Sequence, residues 1–205
     1  MPRLGAFVVA LPLVACPALI SPARADDAIR RDPAGITGIS PYNEALAKGR
    51  EAFNKGDHAA AISAFDEAAA KEPERILAHL LKAQAQLAKG DTAGAAATAE
   101  TAAQKDGPPD ERSKLAFFRA SLAERSAEDE QLAAAKGKED DASLLAAFQK
   151  VWDRVKERWT AYSGADSDPS VTTYPASAND RRAKVDARMK RERDYAVVRG
   201  RAPNK

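Results

Sequence analysis

The chain has 205 residues and a mass of 21.9 kDa, enough for one domain and a short extension. Charged residues make up 30% and hydrophobic residues 44%, with the two signs of charge nearly balanced, which excludes a wholly disordered polymer. One cysteine, Cys16, excludes an intrachain disulfide framework and a cysteine zinc cluster, and two histidines, His58 and His79, leave little for a histidine metal site.

The chain opens with a basic start at Arg3, an apolar run from Leu4 to Ile20, and the small-residue end Ser21-Pro22-Ala23-Arg24-Ala25. This is the pattern of a secretory signal peptide. Residues 1–25 are expected to direct export, with cleavage after Ala25 and a periplasmic or secreted product. A transmembrane helix fits less well, because the run falls short of about 20 apolar residues and holds Pro12 and Pro17. A second cut site competes: Leu13-Val14-Ala15-Cys16 resembles the lipobox of bacterial lipoproteins, in which Cys16 carries a lipid and ties the product to a membrane.

Residues 26–41 hold Pro33, Gly35, Gly38 and Pro41 with little periodicity and read as a flexible lead-in. Residues 42–163 have helical composition, and Val, Ile and Thr are sparse there, which argues against sheet. An internal repeat runs through the first part. Asn54-Lys55-Gly56-Asp57 meets Ala88-Lys89-Gly90-Asp91 at an offset of 34, where Leu46 also meets Leu80, Ala61 meets Ala95, and Ala68 meets Ala102. A period of that length, with a glycine turn, is a repeated helical hairpin. Gly56 and Gly90 supply the left-handed residue that ends a first helix. Asp57 and Asp91 cap the second. The alanines mark close helix approach, Phe65 fills the gap between hairpins, and Pro73 stops the helix.

Gly49, Gly56, Ala61, Phe65, Ala68 and Pro73 in residues 42–75 resemble the tetratricopeptide repeat family, as do Ala83, Gly90, Ala95 and Ala102 in residues 76–109. The family's early aromatic residue is missing from both repeats, and Ala99 stands in place of the later one. The resemblance implies an all-α fold: a short array of two clear hairpins and a divergent third, closed by C-terminal capping helices. Helix B of the second repeat, residues 92–104, has almost no large side chain and is expected to be the softest part.

The third hairpin is expected from Pro109, where Phe118-Arg119-Ala120 echoes Leu81-Lys82-Ala83. Its first helix is expected to end near Arg125, with residues 126–141 forming a polar connection around Gly137. Leu144, Leu145, Phe148, Val151, Trp152, Val155 and Trp159 then share one helical stripe, read as a cap over the last repeat. Residues 164–178 read as a loop. Residues 179–205 read as a basic helix or tail with Asn179 as its N-cap.

No nucleophile elbow, H-E-x-x-H, phosphate loop or dinucleotide glycine pattern occurs, and neither catalysis, cofactor nor metal is expected. Asp57 and Asp91 look like a carboxylate pair, but caps explain both. Glu139-Asp140-Asp141 lacks the spacing of a calcium loop and reads as a helix start.

In the family that the chain resembles, the first helices of successive hairpins line a groove that holds a peptide or a helix. Carried over, that groove presents Asn43, Leu46, Arg50, Phe53 and Asn54, then Leu77, Leu80, Gln84 and Leu87, then Phe117 and Ser121. This mixture, apolar with few charges, favours an amphipathic helix or an apolar peptide. The family's carboxylate clamp is not reproduced, because Leu46 and Arg50 take its first two places. The expected function is that of an exported adaptor or scaffold holding a protein partner in the cell envelope. An alternative occupant of the groove is the chain's own C-terminal segment.

Residues 179–205 carry ten Lys/Arg, among them Arg181, Arg182, Lys184, Arg188, Lys190, Arg191 and Arg193, against four Asp/Glu. Their net charge is +6, and that of residues 26–178 is −6. A solvated helix with scattered salt pairs is the plain reading. The alternative function is attachment of this tail to an anionic membrane surface, an acidic polymer or an acidic protein; folding back on its own body is a further option. Nucleic acid is not expected, since the chain is read as exported and the tail has no aromatic residue beyond Tyr195.

Overall fold

Ser40 opens the first helix, α1 (Pro41–Asn54): its hydroxyl accepts the Asn43 N–H at 3.2 Å, and Pro41 takes the first position, where a missing N–H costs nothing. The computed structural model describes residues 40–137, 141–165 and 168–198. The expected signal peptide, Cys16, nearly all of the lead-in, and the basic residues after Val198 lie outside the described residues.

Helix α1 ends at Gly56, whose φ of +80° only glycine adopts cheaply. Asp57 then caps α2 (His58–Lys71) by accepting the Ala60 N–H at 3.0 Å. The same device recurs in the second hairpin. Helix α3 (Ile76–Ala88) stops at Gly90, with φ +92°, and Asp91 caps α4 (Thr92–Ala102) through the Gly94 N–H at 2.8 Å. Between α1 and α2 the close approach is at Gly49: a Cβ there would run into the Phe65 ring.

The third hairpin is longer. Helix α5 runs over Pro109–Ala135 and α6 over Asp141–Ser163. The expected end near Arg125 and the long polar connection over residues 126–141 are therefore corrected. Residues 126–135 are rich in Ala and Glu, both strong helix formers, and Ala127 is wholly buried. The stop is instead Gly137, at φ +73°. A short 3-10 turn (Pro175–Ser177) leads into α7 (Ala178–Val198), which starts one residue ahead of Asn179. The described residues contain seven α-helices and that turn, and no strand.

Packing follows chain order. Each hairpin closes on itself, α2 packs on α3, and α6 packs on α7 in the same sequential sense. Three apolar clusters hold the stack. Tyr42, Leu46 and Phe65 centre the first; Ile76, Leu80, Leu115 and Phe118 the second; Val155, Trp159, Tyr162, Val185 and Met189 the third. Helix α4 contributes to the core only alanines, Ala95, Ala99 and Ala102, so it buries little apolar area. Both tryptophans are buried, so their main part is to hold the cap together.

Candidate functional site

Helices α1, α3 and α5 open the three hairpins, and the expected groove residues fall on them. Two do not reach the surface. Leu46 is 2% exposed, within the cluster of Phe65 and Ala78, and Leu80 is 3% exposed, within that of Leu115 and Phe118. Residues at this place in a hairpin are covered by their own and the following hairpin, and both are removed from the candidate groove. Asn43, Phe53, Leu77, Leu87 and Ser121 are half-buried, and Arg50, Asn54 and Gln84 are exposed. Phe53 lies 5.4 Å from the His58 ring, and Phe53 and Leu77 flank the same cluster. Phe117 is 44% exposed; its other side packs against Trp159 and Tyr162 at 5.9 and 5.3 Å. The remaining candidates therefore offer half-buried apolar side chains among exposed polar ones.

Two polar ties between hairpins keep these helices in register, and neither follows from the sequence pattern. Arg75 precedes α3 without a side-chain cap of its own. Glu111, from α5, does that work: it accepts the Leu77 N–H at 3.1 Å and the Arg75 guanidinium at 2.9 Å. Arg75 in turn lies 5.1 Å above the Tyr42 ring, so one chain of contacts joins all three hairpins. Burial alone works against the Arg75 charge, but the Glu111 hydrogen bond and charge outweigh it and raise its pKa. The second tie is Glu100 of α4, which accepts from Arg119 of α5 and, at 2.8 Å, from Arg158 of α6. Burial tends to raise the Glu100 carboxyl, yet the two arginines hold it below the usual carboxylate range.

A protein-family model described as Tetratricopeptide repeat matches residues 46–111. Residues 46–111 carry tetratricopeptide repeats. The match spans α2, α3 and α4 whole, most of α1 and the first turn of α5, which are the helices whose glycine turns and aspartate caps have just been described. No curated protein and no solved structure matches the chain. Tetratricopeptide repeats mediate contact between proteins, which fits a scaffold or adaptor.

Beyond the matched repeats, α7 carries the basic residues, and the structure sorts them into two flanks of one helix. Ala178, Val185 and Met189 face α6 and are buried. On one flank Arg181 pairs with Glu124 at 3.2 Å and Arg188 with Glu128 at 2.8 Å, both acids being on α5. Arg188 also lies 4.3 Å above the Trp152 ring, and Arg181 lies 5.7 Å above that of Trp159. On the other flank Asp186 binds Lys156 at 2.6 Å and Lys190 binds Asp194 at 2.5 Å, while Arg182 is half-buried and Arg193 exposed. The basic segment, as far as it is described, is a helix docked on the array. The loop before it is pinned as well: the Thr172 N–H reaches Asp110 at 2.8 Å, and Ser113 and Thr173 share a hydrogen bond.

Asp57 and Asp91 are helix caps in the structure. Among the described residues no group of His, Cys, Asp and Glu gathers as a metal site, and no helix is long and apolar enough to cross a membrane. His79 is half-buried with a nitrogen 3.4 Å from the Pro73 carbonyl oxygen, and burial lowers its pKa.

Proposed function

We propose that this chain is an exported tetratricopeptide-repeat adaptor that holds a protein partner in the cell envelope against the face formed by α1, α3 and α5. The observation that carries the reading is the match of residues 46–111 to protein-binding repeats, combined with half-buried Phe53, Leu77 and Leu87 among exposed Arg50, Asn54 and Gln84 on the first helices. Such a surface suits an amphipathic helix or a short peptide, with apolar side chains over the spots and polar ones over the rim. No bond is made or broken. The export part rests on the basic start, apolar run and Ala23-Arg24-Ala25 end of residues 1–25, with lipidation of Cys16 as the alternative route to the envelope.

The test is capture of a partner from envelope extract at low and high salt, with the wild type and Phe53→Glu side by side. The wild type is expected to retain one partner at high salt, because apolar contact is insensitive to screening. Phe53→Glu, with an unchanged circular dichroism spectrum, is expected to lose it. Gln84→Arg serves as a second variant, because Gln84 is exposed and its replacement leaves the core intact. Undiminished capture by both folded variants contradicts the reading.

A further inference from the structure

On α5 the residues Phe117, Ser121, Glu124 and Glu128 follow one another at helical spacings of four, three and four, so they share one stripe. The first two belong to the candidate partner face. The last two are the acids to which α7 is docked. The docked flank of α7 is itself a stripe, Arg181, Lys184, Arg188 and Arg191, at spacings of three, four and three. The partner face of α5 therefore runs directly into a basic row.

The row is only half neutralised. Arg181 and Arg188 are held by Glu124 and Glu128 and lie over Trp159 and Trp152. Lys184 and Arg191 are exposed and have no ion-pair partner among the described residues. Both line a cavity of about 360 Å³ between α5, α6 and α7, together with Glu124, Trp152 and Arg188. Seven residues on a helix span about 10 Å. Two carboxylates two helical turns apart on a partner helix have that same spacing.

We propose that this row extends the partner face and holds an acidic helix or peptide segment, with Lys184 and Arg191 each pairing with a carboxylate. The proposal rests on the adaptor reading above and names the chemistry of the partner. A protein segment suits the site better than a lipid surface: Lys184 and Arg191 line the cavity beside Glu124, and a helix can set single carboxylates on the two cations while its neutral side chains meet Glu124 and the 67% exposed Glu128, whereas a continuous anionic sheet meets cations and acids alike.

The experiment uses the full chain and a fluorescent amphipathic peptide with two glutamates two helical turns apart, beside the same peptide carrying glutamines. Fluorescence anisotropy is expected to show the glutamate peptide binding about tenfold more tightly at low salt, an advantage that shrinks as salt rises. The double variant Lys184→Glu/Arg191→Glu is expected to lose that preference while keeping its helical spectrum, since both residues are exposed. Equal binding of the two peptides, binding of neither, or a preference unaltered in the double variant overturns the proposal. Equal binding that Phe53→Glu abolishes overturns it while leaving the adaptor reading intact. Vesicles of phosphatidylglycerol are the third probe: charge-dependent binding to them through Lys184 and Arg191, with none to the glutamate peptide, assigns the row to a membrane and overturns it too.

Discussion

Replacing Trp159 with alanine is expected to cost about 3–5 kcal/mol of unfolding free energy. Trp159 is 2% exposed and lies at the junction of α5, α6 and α7. Its ring packs edge-on against Phe117 and Tyr162, both 5.9 Å away, and its indole N–H donates to Glu124 at 3.0 Å. The truncation removes the largest apolar volume of the third cluster and leaves Glu124 with Arg181 as its remaining partner. A domain of this size has roughly 5–15 kcal/mol in total, so the loss is a large share. Urea denaturation followed by circular dichroism measures it. Trp152 is then the only tryptophan and reports the same junction by fluorescence. A loss below about 1 kcal/mol contradicts the placement of Trp159 at the centre of that cluster.

Glu111→Ala is the second large effect, about 2–3 kcal/mol. The Glu111 side chain is 10% exposed and serves two donors, Arg75 and the Leu77 N–H. Its removal leaves an uncapped α3 and a guanidinium without its main counter-charge. Breaking a fully buried pair costs more, but the Arg75 side chain is 36% exposed and water recovers part of the loss. Glu111→Gln keeps an acceptor for one of the donors and is expected to recover about half of the stability. Denaturation of the two variants in parallel checks this. Equal losses for alanine and glutamine imply that the charge alone matters, and no loss removes Glu111 as the tie between hairpins.

Features set by neighbours in sequence were legible before the structure. Gly56 and Gly90 announced left-handed turns, Asp57 and Asp91 announced caps, and small residues at Gly49, Ala61 and Ala68 announced close packing, because each of these is a local steric or hydrogen-bonding requirement. Features set by distant contacts were not. The burial of Leu46 and Leu80 depends on how adjoining helices pack over them, and their type fits either a core or a groove. Glu111 acts on α3 from 34 and 36 residues away, and a lone glutamate in the first turn of a helix looks like any other favourable dipole contact. The length of α5 departs from expectation for a different reason: residues 126–135 are as polar as a loop, yet they favour helix, and Gly137 is the stop. The charge of residues 179–205 was plain, but its division into a spent and an unspent part follows from Val185 and Met189 turning one face to α6.

Hydrogen exchange on the chain alone and with its captured partner distinguishes the two sides of the hairpins. The partner is expected to slow exchange in α1, α3 and α5 and to leave α2 and α4, the second helices of their hairpins, unchanged. Slowed exchange confined to α2 and α4, with α1, α3 and α5 unaffected, would contradict the proposed face.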